Sequence, residues 1–71
     1  MKISASNVIK GKITEIQEGA VNGRIAIDIG GGNIVYALIT MSSIARLELK
    51  VGSDACAVIK ASDVMVSVDC C

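Results

Sequence analysis

The chain has no histidine, one aromatic residue, no net charge and three cysteines, and each of these scarcities removes a class of function. Without histidine, and with no nucleophile beside a recognisable base, acyl transfer and proton-shuttling chemistry lose their usual residues. Asp28 and Asp63 are acids in principle, but a strand's polar face and a turn account for them, so no enzyme is expected. Tyr36 is the sole aromatic residue, which leaves single-stranded nucleic acid nothing to stack on. Seven basic and seven acidic residues cancel, so neither duplex nucleic acid nor an anionic membrane would be held by bulk charge. No apolar run approaches the ~20 residues of a membrane span. The N-terminal MKISASN also lacks the apolar core of a signal peptide, and the expected location is the cytoplasm. Cys56 lies in an apolar run and reads as a core residue, while Cys70 and Cys71 are adjacent at the tail. The three do not make the even, spaced set of a disulfide framework. With no CxxC spacing and no histidine, no metal site is expected either.

What is present is aliphatic. The 71 residues are 52% hydrophobic but 1% aromatic, so burial must come from many Ile, Val, Leu and Ala side chains. A single domain over 1–71 of this size buries only about 60% of the surface that its unfolded chain exposes. Part of the apolar surface is therefore expected between subunits.

Segments 8–17, 23–29, 33–40 and 55–60 are rich in β-branched residues and alternate in places, which predicts strands. Ile25, Ile27 and Ile29 share one face, and Arg24, Ala26 and Asp28 the other. Glu18-Gly19 and Gly30-Gly31-Gly32-Asn33 mark turns. TMSSIARLEL, 40–49, sets Ile44 and Leu47 three apart and predicts a short helix with Thr40 as N-cap. Lys50 to Ser53 turn the chain back, and VMVSV, 64–68, supplies a fifth strand. Five strands with one helix after the third outline an all-β, OB-like barrel, whose closure removes exposed sheet edges.

The glycine run does not bind phosphate: it opens a strand rather than a helix and lacks the spacing of either phosphate-binding fingerprint. What remains is a set of small donors: Ser4, Ser6 and Asn7; Thr40, Ser42 and Ser43; Lys60 and Ser62. VIKASDVMV, 58–66, sets Lys60, Ala61, Ser62 and Asp63 between two apolar runs. One reading is a solvated turn. Another is a grip on a small oxyanion, because charge-assisted donors offset the cost of taking a dianion out of water.

ISASN at 3–7, KGK at 10–12, EGAVN at 18–22, IDIGGGN at 27–33 and VIKASDVMV at 58–66 together make the chain resemble the molbindin (Mop) family, small molybdate-binding proteins built from a TOBE-type domain. The resemblance covers nearly the whole chain. It implies an OB-like barrel, a homo-oligomer, namely a hexamer with strands shared between neighbours, and molybdate or tungstate as bound ligand at subunit interfaces. Carried over, it implies that Ser4 and Ser6 of one subunit meet Thr40, Ser43, Lys60 and the backbone of Ala61 from another. Ser62 and Asp63 would then cap the turn that holds Lys60. Gly19, Ala20, Val21 and Asn22 correspond to a second oxyanion site formed by backbone amides. One departure stands out: the family's usual SARN is SASN here, so Ser6 replaces a bidentate cation by one hydroxyl. That change bears on affinity and anion choice, not on fold. The implied function is storage of the oxyanion; the alternative is a sensing module that reports oxyanion levels to a partner protein.

Overall fold

The computed structural model describes residues 6–68. In chain order the elements are β1 (Asn7–Gln17), β2 (Asn22–Gly30), β3 (Asn33–Thr40), α1 (Met41–Arg46), β4 (Asp54–Ile59) and a 3-10 turn (Ala61–Asp63). The four strands form one antiparallel sheet in the order β3-β2-β1-β4. It curls into a half-barrel whose concave side carries Ile13, Ile25 and Ile27, capped by Ile44 of α1.

Strand β1 has to change its facing midway. Asn7, Ile9, Gly11 and Ile13 turn inward; continued alternation would send Glu15 and Gln17 into the core and leave Ile16 outside. A bulge corrects this. Ile13 pairs with Ile27 and Glu15 with Ala26, leaving Thr14 as the extra residue, so that Ile16 faces inward opposite Ile25. One added residue thus re-aims a strand and sharpens its twist.

The β2–β3 hairpin closes on Gly30, Gly31 and Gly32, all at positive φ, a region that costs glycine nothing. The Asp28 carboxylate accepts from the Gly30 amide at 2.8 Å, and the Asn33 side chain donates to the Gly30 carbonyl at 3.2 Å. At the other end of β2, a Cβ on Gly23 would meet Ile44 Cδ1 at 2.5 Å. Glycine there lets α1 seat on the barrel end, where the Met41 amide also donates to the Val21 carbonyl at 2.7 Å.

The helix is shorter than the expected 40–49. Glu48 sits at φ 55, and the Glu48 and Leu49 amides donate back to Ala45 and Ile44 at 3.1 Å each. This paired closure is the usual glycine-terminated helix ending, here carried by a glutamate. It leaves Leu47 58% exposed while Ile44 is buried.

Two further expectations are corrected. The barrel does not close: there are four strands among the described residues, not five. Residues 64–68 find no partner strand among the described residues, because the 3-10 turn leads them off the sheet. Val64, Met65, Val66 and Val68 are 51–93% exposed. The edges β3 and β4 consequently flank an apolar cavity of about 470 Å³ lined by Ile13, Ile25, Val35, Ala37, Ala57 and Ile59. Cys56 is not a core residue. In β4 the inward parity belongs to Ala55, Ala57 and Ile59, which puts Cys56 outside and exposed.

Among the described residues, only Ile13, Ile25, Ala26, Ile27, Ile44 and Ala57 are buried apolar residues, and the chain exposes 5551 Å². A compact monomer of 7.3 kDa would expose about 4,200 Å². The strained helix ending gives a test of the local reading: Glu48→Gly should stabilise the protein by about 1 kcal/mol, since a side chain in the left-handed region costs about that much. Thermal unfolding would show the melting point rising by a few degrees, and a fall would mean that Glu48 has a role beyond ending α1.

Candidate functional site

The candidate donors gather in two groups. The first lies where β1 begins and β4 ends. Asn7 pairs with Ile59 in the β1–β4 ladder, and continuing that register sets Ser6 beside Lys60. Lys60 is the N-cap of the 3-10 turn, and Ala61 is its first residue. All three are exposed. The turn is closed by the Asp63 amide donating to the Lys60 carbonyl at 2.9 Å and the Val64 amide to that of Ala61 at 3.3 Å. No side chain caps it, so the capping role expected for Ser62 and Asp63 falls to the backbone. The opening amides of such a turn have no acceptor within it.

The second group lies where β3 meets α1. Thr40 is the N-cap, as its sequence position suggested: its hydroxyl accepts from the Ser43 amide at 3.1 Å. The same oxygen lies 2.8 Å from Ser43 Oγ and 3.1 Å from Ser42 Oγ. Three hydroxyls are thereby drawn into one exposed cluster, in which the Thr40 O–H donates to Ser43 and the Ser43 O–H is left for a further acceptor. Asn22 pairs with Thr40 across the β2–β3 ladder. This brings Gly19, Ala20, Val21 and Asn22, the segment matched to a second site, alongside the same cluster. The four are exposed.

The chain does not bring the two groups together. Ser6 precedes β1, whereas Thr40 pairs beyond its far end, since Gln17 is opposite Arg24 and Thr40 opposite Asn22. The 11 residues of β1 separate them by on the order of 30 Å at about 3.3 Å per residue. Ser4, assigned with Ser6, lies outside the described residues, as do Cys70 and Cys71. The neighbourhood of Ser6 and Lys60, one step beyond the Asn7–Ile59 pair, was not visible in the sequence, because a ladder register depends on which strands meet.

Other groups are committed elsewhere. The Arg24 guanidinium lies 4.1 Å from the centre of the Tyr36 ring, on the outer face, so the one aromatic ring is already covered by a cation. Lys12 pairs with Asp54 at 3.4 Å, both side chains being well exposed, a contact of little energetic weight. Among the described residues there is no cluster of metal-ligating side chains and no helix long and apolar enough to cross a membrane.

The TOBE domain model matches residues 3–66. A probable molybdenum-pterin-binding protein of Haemophilus influenzae is 48% identical over 97% of this chain and 100% of its own length. Among solved structures, the molybdate-binding protein from Sporomusa ovata superposes with a TM-score of 0.89 at 35% identity, over 96% of this chain and 100% of that one. The cytoplasmic molybdate-binding protein ModG, with molybdate bound, gives a TM-score of 0.87 at 38% identity over 92% of this chain and 46% of its own. The shared architecture is an all-β OB-like fold with a short helix, which the half-barrel and α1 reproduce. Matched over almost its whole length in both sequence and fold, the chain belongs to the TOBE domain family, among its small molybdenum-pterin-binding (Mop) proteins.

Proposed function

We propose that the chain binds molybdate or tungstate between its own copies and holds it as a cytoplasmic reserve, performing no reaction on the anion. The observation that carries this is the separation of the two donor groups to opposite ends of one sheet. A site using both needs two copies. On this reading Ser4, Ser6, Lys60 and the Ala61 amide of one copy meet Thr40 and Ser43 of another, a division that the Ser6–Lys60 ladder position favours. Gly19, Ala20, Val21 and Asn22 supply backbone amides to a second site. Assembly, to a hexamer, also accounts for the uncovered barrel: segment 64–68 of one copy lies against β3 and β4 of its neighbour. Five residues extend about 16 Å, comparable with the six-residue β4. The names of the relatives support molybdate as the ligand, and that of ModG the cytoplasm.

The chemistry suits a dianion. Hydroxyl and amide donors with one ammonium give charge-assisted hydrogen bonds without a metal. Molybdate and tungstate have nearly the same size and are fully deprotonated at neutral pH, so such a site takes either. Phosphate is smaller and keeps a proton.

Three outcomes follow. Molybdate or tungstate should raise the melting point of a multimer, by the equivalent of about 2.7 kcal/mol at a hundredfold excess over Kd; a monomer, or a melting point indifferent to both, contradicts the proposal. Lys60→Ala should weaken binding about tenfold or more by calorimetry, the loss of one charge-assisted bond, while Lys12→Ala, which removes the same charge from mid-sheet, changes it less than about twofold. Equal effects would mean that charge acts only at long range. Ser6→Arg should tighten molybdate and tungstate alike by restoring a cation beside Lys60, and unchanged affinity in an intact oligomer would place Ser6 away from the anion.

A further inference from the structure

The 3-10 turn has two neighbours of different kinds. Before it stands Lys60, in the proposed oxyanion site; after it runs Val64 to Val68, exposed and without a strand partner among the described residues. The turn is three residues long, all exposed, with no side-chain cap. Two backbone hydrogen bonds, Asp63 to Lys60 and Val64 to Ala61, hold its geometry. Whatever restrains Lys60 and Ala61 therefore restrains the direction in which 64–68 leaves the sheet.

We propose that Ala61–Asp63 is a hinge shared by the oxyanion site and the exchanged segment, so that anion bound at Lys60 and Ala61 holds Val64–Val68 in its seat on a second copy. This rests on the proposed site and assembly, and adds to them a direct mechanical link. A short hinge favours exchange between copies over closure of the chain on itself, and lengthening it uncouples the two ends. The seat is the apolar cavity between β3 and β4. Its occupant is five residues without a charge, four of them Val or Met, matching a lining that is mostly Ile, Val, Leu and Ala. The anion adds no contact to those five residues. It acts by removing the freedom of the turn that would let them swing out.

The test is amide hydrogen exchange on the full-length protein, with and without saturating sodium molybdate, alongside calorimetry on the same samples. Molybdate should slow exchange across 64–68 at least tenfold, with the central β2 amides changed less than twofold. Inserting Gly-Ser-Gly between Asp63 and Val64 should leave molybdate binding measurable but reduce the slowing at 64–68 below twofold. Lys60→Ala, which leaves the hinge length intact, should lose the slowing in parallel with its loss of binding. Molybdate that binds without slowing 64–68, or slows it equally in the insertion variant, overturns the hinge. Calorimetry that detects no binding by the unaltered protein fells the proposed function, and the hinge with it.

Discussion

A curved sheet with apolar residues on its concave side and two unpaired edges cannot stay as it is in water. That constraint organises this protein. β3 and β4 present free backbone donors and acceptors, and between them lies a cavity whose walls are mostly isoleucine, valine, leucine and alanine. With six buried apolar residues among those described and a single aromatic ring, which lies on the outer face, the described chain does not cover the opening from within. Segment 64–68 is another uncovered apolar feature, and the two complement each other in length and chemistry. On the proposed assembly a second copy would supply each with the other, so that a deficiency of the single chain becomes a reason to assemble.

The donor groups obey the same geometry. Antiparallel pairing puts the start of β1 next to the end of β4, hence Ser6 beside Lys60, and sends Thr40 and Ser43 to the far end of the sheet. Neither group alone could compensate a dianion for its lost hydration, since one ammonium and a few hydroxyls fall short of its many acceptor sites. Joined across an interface, they provide donors from several directions. The Thr40, Ser42 and Ser43 hydroxyls are already oriented by bonds to one another, which lowers the ordering cost of meeting a ligand.

Much of the fold was legible because β-branched alternation reports strands directly, and glycine runs and hydroxyls at element starts report turns and caps. Strand ends and the Thr40 cap were read to within a residue. Where the reading failed, the cause lay in partners rather than propensities. VMVSV has every local property of a strand, but a strand exists only when paired, and the 3-10 turn after β4 carries 64–68 off the sheet without a ladder. Cys56 was assigned inward from its apolar neighbours, although in an edge strand parity, not hydropathy, decides the facing. The bulge at Thr14 has no sequence mark beyond a break in alternation, and the end of α1 was hidden because a glutamate takes the conformation usually left to glycine. For the site, the residue types were readable, but their division into two distant groups depends on ladder registers.

A reserve built in this way responds to two concentrations. If the anion's ligands come from different copies, free energy gained on binding is free energy of assembly, and each favours the other by the same amount. The protein's zero net charge fits this arrangement: a strongly charged chain would repel its own copies at the interfaces where the anion has to sit. On the proposed site, a single ammonium at Lys60 with neutral donors elsewhere would attract the anion locally without that penalty, and a serine rather than a cation at position 6 would lessen repulsion between unloaded copies.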